Sequence, residues 1–138
     1  VPGFKNADDV DRSYTMFRKI YDDNDVYVDA PTFAKARIFD MLIGDWGRHP
    51  DNWKWALYEG EEKEIFYPIP RDRDHSFSRW DGLIPYLADR EWARPNVQNF
   101  TYDIKGIRSL NWPARHLDRL LFCSLYKNDR FSFTEELQ

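Results

Sequence analysis

Two short polar segments hold the residues best able to do chemistry. The first is Asp45-Trp46-Gly47-Arg48-His49-Pro50-Asp51-Asn52, and the second is Arg71-Asp72-Arg73-Asp74-His75-Ser76-Phe77. Carboxylates beside a carboxamide form a hard-oxygen donor set suited to Mg²⁺, an ion that keeps water and substrate phosphates in its shell. Asn52, Asp72 and Asp74 are therefore the metal-ligand candidates. Asp72 and Asp74 are two apart, so in an extended segment their side chains point the same way. Arg48, Arg71 and Arg73 suit either phosphate oxygens or pairing with the carboxylates. His49 and His75 are the candidates for zinc alongside a carboxylate. Their spacing matches no familiar zinc motif, so hydrogen-bonded structural histidines are the simpler reading. A structural ion-pair network of Asp45, Arg48, His49, Asp72 and Asp74 is the competing account of the whole constellation.

The elements between the two segments decide whether they meet. Trp53, Trp55 and Leu57 alternate with Lys54 and Ala56, Glu59-Gly60-Glu61-Glu62 supplies a turn, and Glu64-Ile65-Phe66-Tyr67 returns. Pro68 and Pro70 end this hairpin. A hairpin lays its second strand beside its first, so both polar segments fall at one end. Asn52 and Asp72 are expected within about 6 Å of each other, close enough to share an ion whose bonds to oxygen are near 2.1 Å.

Helices are expected around this hairpin. Val10, Tyr14, Phe17 and Tyr21 recur at helical spacing and predict a helix over 8–22, with acidic residues at its positive end. Asp22-Asp23-Asn24-Asp25 reads as a turn. Pro31 fits a first helical position, and 32–43 reads as a helix apolar on nearly every face, hence the most buried element, with Phe39 in the core. It is expected to pack on a last helix over 113–126, whose solvated face carries Arg115, His116, Asp118 and Arg119. Residues 78–111 read as short helices and loops around Trp80, Pro85, Trp92 and Pro95. The fold class is α+β, mostly α, with helices around one central β-hairpin, in a single domain spanning 1–138.

Composition narrows the functions. The chain has 138 residues, a net charge of −4, and 6 Trp, 8 Tyr and 10 Phe, which argues for a packed core and against a broad nucleic-acid footprint. One cysteine, Cys123, excludes an internal disulfide framework and reads as a small buried hydrophobe. No glycine-rich nucleotide loop is present. No apolar run is long enough to insert in a membrane. Trp46, Trp53 and Trp55 suit a sugar-stacking platform, but aromatics alternating along a strand are by default core.

The order helix, polar loop ending in Asn, hairpin, Asp-containing loop resembles the C-terminal lobe of protein-kinase-like enzymes. Gly47-Arg48-His49-Pro50-Asp51-Asn52 resembles the Asp-Arg-His-x-x-Asn loop of HipA-like and phosphatidylinositol-type kinases. Pro70-Arg71-Asp72-Arg73-Asp74-His75-Ser76-Phe77 is similar to the Pro-Trp-Asp-x-Asp-x-x-Phe stretch of CotH-like spore-coat kinases. The span 37–77 also looks like an uncharacterised domain of Bacteroidetes-type envelope proteins, whose usual form is Gly-Asp-Trp-Asp-Arg-His.

The resemblance implies Asn52 and Asp72, with Asp74 the alternative, as Mg²⁺ ligands, and Arg48 and His49 as cofactor-binding residues. Gly47 stands where those families carry the catalytic Asp, five residues before Asn52, and Asp45 is the candidate substitute base. It further implies phosphoryl transfer, or a degenerate pseudokinase, with Mg²⁺ and ATP as cofactors and the rest of a longer parent chain as partner, in a bacterial periplasm or envelope. Nothing before Pro31 reads as a covering lobe, so this chain alone is expected to bind ATP weakly and to transfer no phosphate. The alternatives are a non-catalytic accessory or interaction domain, and a metal-dependent hydrolase built on His49, His75 and the Asp pair.

Overall fold

The computed structural model describes residues 4–79, 82, 99–103 and 106–127, with backbone alone for 123–127. Strand β1 (Asp9–Arg12) runs directly into helix α1 (Ser13–Asp22). Strand β2 (Val26–Val28) precedes helix α2 (Ala30–Leu42), and the hairpin follows as β3 (Trp53–Glu59) and β4 (Glu64–Pro70). A short helix α3 (Arg108–Asn111) and a longer α4 (Arg115–Lys127) complete the described elements. The architecture is α+β, as the sequence predicts, but the hairpin is the middle of a four-stranded mixed sheet in the order β1-β3-β4-β2.

Two strands depart from the sequence reading. Residues 9–12 extend the sheet instead of starting the helix, pairing antiparallel with β3 from Asp9 opposite Leu57 to Arg12 opposite Lys54. Pairing with the edge of β3 satisfies backbone groups that helical propensity alone would direct inward, and tertiary contact wins. Val26–Val28 pairs parallel with β4, Val26 opposite Glu64. Its β-branched residues carry a strand signal too short to separate from a turn.

The hairpin register sets Trp53 opposite Pro70, Trp55 opposite Pro68 and Leu57 opposite Phe66. Period two then places Trp53, Trp55 and Leu57 on one face, where they join Met16, Phe33, Phe66, Leu117 and Leu121 in the core. Strand β3, not α2, is the most thoroughly buried element.

Helix α2 begins where Asp29 Oδ1 accepts from the Thr32 N–H at 2.8 Å. It ends before Gly44, whose φ of +68° favours glycine. Its inward residues are Ala30, Phe33, Ala34, Arg37 and Asp40. The helix therefore turns a charged pair inward and leaves Phe39 49% exposed, under the Arg73 guanidinium at 5.0 Å. The expectation of a buried Phe39 is corrected: the apolar residues give no clear phase on a helix this uniformly hydrophobic, and the ion pairs fix it.

Contact with α4 is as expected, through Phe33 against Phe122 with ring centroids 5.4 Å apart. Asp118 does not face solvent; it accepts from Arg37 Nε at 2.8 Å and from Arg37 Nη2 at 3.0 Å. Among the described residues no helix is long and apolar enough to cross a membrane. The Cys123 side chain and the segment around Trp80, Pro85, Trp92 and Pro95 lie outside the described residues.

Candidate functional site

The base of the hairpin brings the two polar segments together and then sorts them into two layers. The inner layer is a buried ion network that the sequence only half disclosed. Asp40 sits at its centre, taking Arg73 Nε at 2.9 Å on Oδ1 and Arg48 Nε at 2.9 Å on Oδ2. Arg37 Nη1 approaches the same carboxylate at 3.5 Å. The N–H of Arg48 Nε points off the oxygens, so its attraction to Asp40 is Coulombic rather than a formed hydrogen bond. Arg48 Nε also lies 3.3 Å from Asp45 Oδ2. The same guanidinium donates from Nη1 to the carbonyls of Asn52, at 3.2 Å, and Arg71. It also lies over Trp53, 5.3 Å from the ring centroid.

Arg48 thus ties the end of α2 to both strands of the hairpin base. Arg37 and Asp40 went unnoticed in the sequence because their helix reads as apolar throughout. Their spacing of three on one face was the available signal.

Asp45 belongs to this inner layer. Its side chain is 0% exposed, and Oδ1 accepts the Gly47 N–H at 3.1 Å. Burial raises its pKa above the ordinary value near 3.8, with Arg48 and the Gly47 N–H pulling the other way. Burial likewise raises Asp118, opposed by Arg37.

The outer layer opens on a cavity of about 230 Å³, lined in part by Gly47, His49, Asn52, Asp72, Asp74 and His75. Asn52 Nδ2 stands 3.4 Å from the main-chain oxygens of both Gly47 and Asp72, which places Asn52 beside Asp72 as the hairpin requires. Asp72 holds a φ of +54°, a left-handed conformation that costs a non-glycine residue energy and recurs at functional turns. His49 pairs loosely with Asp51 at 3.8 Å.

The cavity is lined by the oxygen-bearing side chains of Asn52, Asp72 and Asp74 together with the imidazoles of His49 and His75. Among the described residues no group of three His, Cys, Asp or Glu side chains is placed to hold a metal by itself. An ion here would need oxygens from a ligand to fill its shell.

His75 lies at the hairpin base as the sequence implies, but its ring contacts were not legible there. Its ring stacks on Trp46, with centroids 4.1 Å apart and planes 16° from parallel. A Cβ added to Gly47 would come within 2.1 Å of His75 Cδ2. The imidazole occupies the space that any side chain at 47 would enter. Gly47→Ala is expected to cost about 0.5–1.5 kcal/mol, the worth of the aromatic stack it displaces. The same change in a His75→Ala background is expected to cost nearly nothing. A double-mutant cycle by urea unfolding measures the difference; equal costs in both backgrounds would place the imidazole elsewhere.

Comparison of the chain with protein-family models, with curated proteins and with solved structures finds no match.

Proposed function

We propose that the hairpin base is a Mg²⁺–phosphate site of a kinase-like phosphotransferase domain. The observation that carries this reading is the cavity onto which Asn52, Asp72 and Asp74 open together. These residues come from segments twenty positions apart in the chain, and all three offer oxygen. Asn52 and Asp72 would hold the ion, with Asp74 as the alternative to Asp72. When bound, the ion would neutralise phosphate charge and orient the transferring group. Arg48 supports the site from beneath: its charge is spent on Asp40 and Asp45. His49, exposed at the rim, is the cofactor-binding candidate that a ligand reaches.

Calorimetry with Mg²⁺–ATP on the full chain tests the reading. Asp72→Asn removes a charge yet suits the left-handed backbone, where Asn is one of the tolerated residues, so it separates ligation from folding. We expect it to weaken Mg²⁺–ATP binding about tenfold or more, at least the loss seen when a ligand's supporting partner is removed. Unchanged affinity in Asp72→Asn and Asn52→Ala would move the ion elsewhere.

A further inference from the structure

We propose that Arg73 is the positioning residue of this site: its ion pair with Asp40 holds the loop carrying Asp72 and Asp74 in the geometry a ligand meets. The inference rests on the phosphate-site reading above and names a residue that sets the affinity of that site from outside it. Arg73 stands between the two carboxylates in sequence, yet among the described residues it does not line the cavity. Its guanidinium turns instead to α2, over the Phe39 ring at 5.0 Å, where Nε donates to Asp40 Oδ1 at 2.9 Å. The Asp40 carboxylate is fully buried, so this bond ties the loop to a packed helix.

The loop needs such a tie. Asp72 and Phe77 both hold left-handed backbones, with φ of +54° and +56°, and neither is glycine. Conformations of that kind persist only where the surrounding contacts over-determine them. Before Asp72, the Arg71 N–H donates to the Asn52 carbonyl at 2.8 Å, and the Arg71 carbonyl accepts from Arg48. After it, the Ser76 N–H donates to the Arg73 carbonyl at 3.2 Å and the Phe77 N–H to the Ile43 carbonyl at 2.9 Å. Arg73 supplies the side-chain tie on that side. Asp40 also attracts Arg48, whose Nη1 donates to the Asn52 and Arg71 carbonyls. One buried carboxylate therefore registers both halves of the site, Asn52 through Arg48 and the Asp72–Asp74 segment through Arg73. Removing a partner that orients a ligating group from behind typically costs about 10–100-fold in metal affinity.

Arg73→Ala tests this on the full chain. The Arg73 side chain is 31% exposed and Asp40 keeps Arg37 and Arg48 beside it, so the variant is expected to fold. Amide hydrogen exchange is the first arm. We expect the Ser76 and Phe77 amides to exchange about tenfold faster, as for a lost charged hydrogen bond, while the amides of β3 and β4 keep their rates. Calorimetry with Mg²⁺–ATP is the second arm, and there we expect affinity to fall about tenfold. Arg73→Ala is then added to whichever of Asp72→Asn and Asp74→Asn itself weakens binding. A residue that acts through that carboxylate loses little more in the double variant, whereas one that touches the phosphate directly loses its full share again. Additive losses, unchanged affinity, or unchanged exchange at Ser76 and Phe77 would each overturn the positioning role. Absence of Mg²⁺–ATP binding by the unsubstituted chain overturns the phosphate site instead, and exchange alone then decides whether Arg73 holds the loop.

Discussion

Replacing Asp40 by Asn is expected to cost about 3–5 kcal/mol in urea unfolding, the range for breaking a buried ion pair by removing one partner. The substitution keeps the shape of the side chain and removes its charge. Arg48 and Arg73 each place Nε 2.9 Å from this carboxylate, and Arg37 stands 3.5 Å away. Arg37 retains Asp118 and Arg48 retains Asp45, but three cations, two of them fully buried, would then face two remaining anions.

Asp45→Asn makes the informative contrast. It leaves Arg48 its contact with Asp40, so we expect a loss of only about 1.5 kcal/mol, that of a single charged contact. Its pH dependence is also distinctive. Burial holds the Asp45 pKa above its unfolded value, so its contribution to stability is fully present below about pH 3.8 and is lost as pH rises through the folded value. The deficit of Asp45→Asn relative to the unsubstituted chain should therefore shrink as pH rises above about 3.8. A deficit that grows with pH would mean that Arg48, not burial, dominates the Asp45 environment.

The parts of this structure legible in the sequence are those written in local pattern. Period two across Trp53, Trp55 and Leu57 gives the hairpin, and the hairpin alone is enough to bring Asn52 beside Asp72. The cap and stop signals around α2, from Asp29 to Gly44, are local as well. What the pattern hides is set by long-range pairing. Residues 9–12 carry helical spacing but complete the sheet, because β3 offers an open edge. Arg37 and Asp118 are 81 positions apart, and nothing in either neighbourhood announces the other. The same holds for His75 over Gly47: each residue is ordinary alone, and the relation between them exists only when the hairpin has closed. The buried network and the cavity share the hairpin base, yet they divide its residues by exposure. Spacing therefore grouped Asp45 with Asp72 and Asp74, while folding separates them.

The phase of α2 carries the other large effect. Phe33→Ala is expected to lose about 3–5 kcal/mol, the range for a fully buried Phe whose cavity cannot collapse. Its ring has no exposed surface and packs against Trp53 at 5.1 Å, Trp55 at 5.9 Å and Phe122 at 5.4 Å. It therefore joins the sheet to both long helices that cover it. Rings of that size on a β-strand cannot slide into the space left behind without giving up their own staggered rotamers, which is why little relaxation is expected.

Phe39→Ala, six residues on and chemically identical, is expected to lose less than about 1 kcal/mol, since only its contact with the Arg73 guanidinium and its half-covered face are removed. The pair is best measured by urea unfolding at one pH, with the slope against denaturant checked for constancy so that the midpoints report stability alone. A large loss at Phe39 with a small one at Phe33 would rotate α2 by about a third of a turn. That rotation would carry Arg37 and Asp40 to the surface, and with them the foundation on which Arg48 holds the hairpin base.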